Sequence, residues 1–147
     1  MNQEILDFLL FAKQTTYAGH GAEVAPTRPA SHDLSCGQKD LFYYDTYIGT
    51  ALFSGEEAVW QNNSPIWAMN YSGRVLDPDV FSGDVLKAAL RQAPKDMPIR
   101  GPRRHMEGAY LYASDISGDM SWFQGYETIR FEDRIIYECY FHGGEVR

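Results

Sequence analysis

"FSGEEAV" occupies positions 53–59, and seventy residues later the chain reads "FQGYETI" at positions 123–129. Strand side chains alternate between faces, so Phe53, Gly55, Glu57 and Val59 share one face, as do Phe123, Gly125, Glu127 and Ile129. Around the first run, "LFYYDTYI" and "PIWAMNYSG" predict two further strands, with "NNS" as a turn signal, giving three antiparallel strands between Asp40 and Gly73. Around the second run, "AYLYASD", "MSWFQGYETIRF" and "IIYECYFHGG" predict three more. Each set of strands follows an amphipathic helix. In "QEILDFLLFAK" at 3–13, Ile5, Phe8, Leu9 and Ala12 fall on one stripe, with Asn2 available as a cap. In "GDVLKAALRQA", Ser82 stands at the cap, Phe81 and Leu86 are spaced for a hydrophobic staple, and Pro94 ends the run.

The two halves can be laid on each other without a gap. Residues 41–73 align with 111–143, and seven of those 33 positions are identical: Leu41/Leu111, Asp45/Asp115, Phe53/Phe123, Gly55/Gly125, Glu57/Glu127, Ile66/Ile136 and Gly73/Gly143. About two identities would arise by chance at ordinary residue frequencies. Phe42/Tyr112, Val59/Ile129, Trp67/Tyr137 and Tyr71/Phe141 keep size and face, and the helices match at an offset of 80. The expectation is an α+β fold: a tandem duplicated α-β-β-β unit in one domain, 1–147, with repeats 1–75 and 81–147 and two helices packed on an antiparallel sheet. The polar stretch Gly19–Lys39 and the run "PIRGPRRHMEG" read as loops.

Composition bounds the function classes. A chain of 147 residues with 44% hydrophobic residues suffices for one packed core. The net charge of −7 would repel a duplex phosphate backbone, so direct nucleic-acid binding is not expected. Cys36 and Cys139 show no metal or redox spacing, Glu4 and Asp7 stand where a basic leader would begin, and no apolar run approaches the length of a membrane span. The expected compartment is the cytoplasm. The four histidines lack metal-ligand spacing, so neither a metal nor another cofactor is expected. Ser31-His32-Asp33 supplies triad residue types but without a nucleophile elbow, and the basic run Arg100, Arg103, Arg104, His105 reads as solvated or as an anion clamp.

The most pointed chemical signal is a glutamate on each apolar strand face. A buried carboxylate must be paired, hydrogen-bonded, protonated or open to a cavity. In one reading Glu57 and Glu127 are structural, each held by backbone N–H groups or by an arginine such as Arg28, Arg74, Arg100 or Arg103. In the other they form the floor of a ligand cavity walled by Trp67, Tyr71, Tyr137, Phe141, Trp60 and Trp122, suited to an organic cation or an aromatic molecule.

The runs "FAKQTTYAGHGAE", "RPASHDL", "FYYDTYIG", "FSGEEAVW", "PIWAMNYSGRV", "FSGDVLKAAL", "RGP", "WFQGYETI" and "YECYFHGG" resemble an uncharacterised bacterial family built on a domain of unknown function, over essentially the whole chain. Its members stand alone or follow helix-turn-helix modules of transcriptional regulators, which implies a sensing or protein-contact role; with a first helix expected from about residue 3 that leads directly into the domain, no such module is expected here. The resemblance carries no catalytic residues. More weakly, two repeats of a helix with antiparallel strands resemble gyrase-inhibitor-like effector-binding domains, which recognise drug-like cations and place a strand before the helix. That is analogy at fold level. The leading expectation is a non-catalytic small-molecule-binding module, accessory to regulation. A hydrolase or isomerase using a buried glutamate as general base, and a protein-interaction domain or homodimer without ligand, are the alternatives.

Overall fold

The computed structural model describes residues 1–147. The element order is α1 (Gln3–Thr15), β1 (Ser31–Gln38), β2 (Leu41–Gly49), β3 (Leu52–Gln61), β4 (Ser64–Val75), α2 (Gly83–Leu90), β5 (Arg104–Glu107), β6 (Tyr110–Asp119), β7 (Trp122–Phe131) and β8 (Arg134–Glu145). The strands form one antiparallel sheet in the order β1-β2-β3-β4-β8-β7-β6-β5. The fold is therefore α+β, as read from the sequence, but each half carries four strands where three were expected. The additions, β1 and β5, are the two edges of the sheet and lie in the stretches read as loops. Their sequences, "SHDLSCGQ" and "RHME", lack the alternation of a half-buried strand. Pairing with β2 and β6 holds them in place.

The register corrects the gapless alignment of the halves. Gly49 pairs with Phe53 across the β2–β3 hairpin, whereas Gly118 pairs with Phe123 across β6–β7, so the second turn is one residue longer. Upstream of that turn the matched positions slide by one. Tyr43 corresponds to Tyr112 and Asp45 to Ser114, and the apparent identities Leu41/Leu111 and Asp45/Asp115 are out of register; Asp45 is buried, while Asp115 is exposed. Downstream the alignment holds. Ile66 and Ile136 each sit at a β-bulge, where the register shifts after Val59 and after Ile129. The bulge carbonyls take reciprocal hydrogen bonds, from Val146 N–H to Ile66 and from Leu76 N–H to Ile136. The central pair β4–β8 has Tyr71 opposite Phe141.

Both helices cover the same face of the sheet, α1 over β1 and β2 and α2 over β6. Asn2 caps α1 by accepting from Ile5 N–H at 3.0 Å; Ser82 stands at the N-terminus of α2 without making a side-chain cap bond. Ile5, Phe8, Leu9 and Ala12 from α1 and Val85, Leu86, Ala89 and Leu90 from α2 enter one core with Tyr43, Val59, Trp67, Met69, Phe123, Ile129 and Phe141. Burial of such side chains contributes about 1.5–3 kcal/mol each. One more side chain follows the α1 stripe inward: Lys13, four residues after Leu9, is buried. No helix is long and apolar enough to cross a membrane.

Candidate functional site

A cavity of about 280 Å³ opens between the C-terminal end of α1, α2 and the inner face of β2–β4. Its walls are aromatic: Tyr17, Tyr43, Tyr47, Tyr71 and Tyr137, with Phe53 and Phe81. Phe53 and Phe81 each lie parallel to the Tyr137 ring, at 6.0 and 5.4 Å between centroids. At the rim His32 stacks on Tyr47 at 4.7 Å, and its Nδ1 meets Glu23 at 2.8 Å. The polar groups on the wall include Lys13, Asp45, Glu57 and Arg100.

Strand alternation puts Glu57 on this inner face, opposite Met69 in β4 and opposite Asp45 in β2. The Lys13 ammonium pairs directly with one Glu57 oxygen, and Arg100 reaches the other at 3.6 Å. Burial pulls the Lys13 pKa below its ordinary value against the opposing pull of Glu57. Arg100 turns its other face to Glu127 in a two-pronged pair, with Nε 3.0 Å from Oε2. Tyr112 donates to Glu127 at 2.5 Å and Tyr137 at 2.9 Å, and the Tyr112 oxygen also accepts from Gly101 N–H. Burial opposes ionisation of Glu127, but Arg100 and the two phenols outweigh it and hold the carboxyl below the usual range. Arg100 thus lies between the two glutamates.

Asp45 differs. It is buried, makes no ion pair, and accepts from the Tyr71 hydroxyl at 2.7 Å. Burial and the facing Glu57 raise its pKa to about 7.

The structure brings Glu57, Tyr71 and Tyr137 of the expected site together on one cavity. It places Glu127 behind the wall, closed off by Arg100, Tyr112 and Tyr137. Four expected wall residues are elsewhere. Trp67 and Phe141 pack in the core, Trp67 stacked with Phe123 at 5.8 Å. Trp60 lies on the other face of the sheet beside Phe42, and Trp122 is 79% exposed. They were misplaced because aromatic content does not reveal which face or depth a strand residue occupies. Among the arginines considered as partners, Arg100 is the one used. Arg28 bonds Thr46 and Arg74 bonds Glu138, and the supposed basic cluster is split by the burial of Arg100. Reading the sequence missed Lys13, Asp45 and the tyrosines of β2; a lysine in register with the apolar stripe of α1 was the available signal for the first.

No curated protein and no solved structure matches the chain. A family model matches residues 45–146, a span that includes Asp45, Glu57, Arg100 and Glu127, and the chain accordingly belongs to the family described as a domain of unknown function (DUF5680).

Proposed function

We propose that this protein is a small-molecule-binding module whose ligand occupies the cavity between the helices and β2–β4. The observation that carries the reading is the cavity itself: about 280 Å³ enclosed by aromatic rings with a few convergent polar groups, the pattern of small-molecule sites. A dry cavity of about 150 Å³ holds a benzene ring, so this volume suits a one- or two-ring molecule. Ion pairing of Glu57 and Glu127 argues against either of them as a general base, which needs a free carboxylate at the reacting atom.

A thermal-shift screen of small planar aromatics tests this. A ligand bound only by the native state, at a hundred times its Kd, adds about 2.7 kcal/mol of stability. Thr50 is exposed at the cavity rim, so Thr50→Trp should obstruct entry without overfilling the core. The expected result is a saturable shift that this variant loses. No shift with any compound, or a shift indifferent to Thr50→Trp, rejects the cavity as the site.

A further inference from the structure

We propose that the ligand of this cavity carries a protonated amine which docks on Asp45, making Asp45 the residue that sets ligand specificity. This rests on the cavity being the binding site.

The first ground is the inventory of buried charge. Lys13 and Arg100 supply two cations, and Glu57 and Glu127 take both up in direct pairs. Asp45 is the carboxyl left over, on the cavity wall, with a phenol as its hydrogen-bond partner. Buried Asp33, which also has no ion pair, is satisfied by donors from Thr27, Tyr44 and Thr46; Asp45, with the Tyr71 hydroxyl alone, must find a cation or hold a proton. A ligand ammonium would satisfy it, and the rings of Tyr17, Tyr47 and Tyr71 around it offer the faces that attract organic cations.

The second ground is the contrast between the halves. Where β2 and β4 carry Asp45 and Tyr71, the matching positions of β6 and β8 carry Ser114 and Phe141. Acid and phenol are absent together. The second half thus has the same strand frame without the acid, and there the glutamate is closed by Arg100, Tyr112 and Tyr137. The Asp45–Tyr71 pair is not needed to build this strand geometry.

The groups facing Asp45 are Glu57 from β3, Tyr71 from β4, Lys13 from α1, Arg100 from the segment before β5, Tyr17 beyond α1, and Tyr43 and Tyr47 on its own strand. Glu57 opposes ionisation of Asp45 and the two cations favour it, with burial and Glu57 prevailing. A docking ammonium therefore displaces a proton at neutral pH and below.

The test is calorimetric titration with a matched pair, 1-naphthylmethylamine and its neutral alcohol 1-naphthalenemethanol. At about pH 8 the amine should bind at least tenfold more tightly than the alcohol, and Asp45→Asn should abolish that preference. Lowering the pH to about 6 should weaken amine binding to the native protein by about tenfold, with proton release seen between buffers of different ionisation enthalpy. Urea unfolding of the Asn variant checks that it is folded. Equal binding of amine and alcohol, or an amine preference that survives Asp45→Asn, overturns the inference and leaves the cavity reading standing. Failure of both probes to bind the native protein also overturns the inference, while the cavity reading is judged separately by the aromatic panel and Thr50→Trp.

Discussion

Asp45 and Glu57 face each other across β2 and β3 as directly paired residues on the same side of the sheet, and only Glu57 has a cation of its own. Burial and the facing Glu57 carboxylate both oppose ionisation of Asp45. The Asp45 pKa of about 7 lies above the 3.8 of an exposed aspartate, so the native state binds more protons than the unfolded state between those values. Stability contributed by this group is full below about pH 4 and is lost as the pH rises toward 7. Without ligand, the native protein should lose about 2–3 kcal/mol between roughly pH 5 and pH 7. Asp45→Asn should flatten that slope and be the more stable protein at pH 8. Urea unfolding at a series of pH values measures both.

Lys13 should be among the most sensitive positions on α1. Replacing it with Met keeps the apolar stem but leaves Arg100, at 3.6 Å, as the one cation beside Glu57. Removing one partner of a buried pair typically costs about 3–5 kcal/mol. The double variant Lys13→Met, Glu57→Gln should recover most of that loss, because no uncompensated charge remains. A double-mutant cycle by urea unfolding gives the coupling directly; simple additivity would show that the pair contributes nothing.

How far the sequence disclosed this arrangement depended on what each residue's signal was. The "FSGEEAV" and "FQGYETI" strands were legible because a period of two with an acid on the apolar side is unusual, and Glu57 and Glu127 do lie on the inner face. The edge strand β1 was not legible because its cohesion is polar: Asp33 is buried and accepts from Thr27, Tyr44 and Thr46, bonds that link residues up to 13 apart. Burial opposes ionisation of Asp33, but those bonds prevail and depress its pKa. Asp45 was misread because a one-residue difference in turn length, invisible to a gapless alignment, made it look equivalent to the exposed Asp115. The partners of the glutamates were hidden for another reason, since Lys13 and Arg100 lie 44 and 27 residues from Glu57 and Glu127 and only the tertiary fold brings them together.

Gly55 is required by its cross-strand neighbour. It pairs with Tyr71, whose ring lies over it: a Cβ at Gly55 would stand 2.5 Å from the Tyr71 Cζ and hydroxyl oxygen and 2.7 Å from the Thr46 carbonyl. Gly125 is covered in the same way by the ring of Phe141. Gly55→Ala should therefore cost about 1–3 kcal/mol through overpacking and should also shift Tyr71 off Asp45. Gly125→Ala should cost a similar amount without touching the cavity acid. Unfolding free energies test the first part; ligand affinity, reduced in Gly55→Ala and preserved in Gly125→Ala, tests the second.

Arg100 should set how steeply stability falls on acidification, through its hold on Glu127. Glu127 is buried with its pKa held below the 4.5 of an exposed glutamate, so its contribution is fully present above that value and is lost as the pH falls through the folded pKa. Arg100→Met removes the larger of the forces that depress it. Glu127 would then keep only Tyr112 and Tyr137 as donors, its pKa should rise, and the variant should lose about 3–5 kcal/mol at neutral pH with a smaller loss near pH 4, where the carboxyl takes up a proton. The stability gap between native protein and variant should therefore narrow on acidification. A gap that stays constant from pH 7 to pH 4 would mean that Arg100 acts by packing alone, and Glu127→Gln in the Arg100→Met background would then bring no recovery.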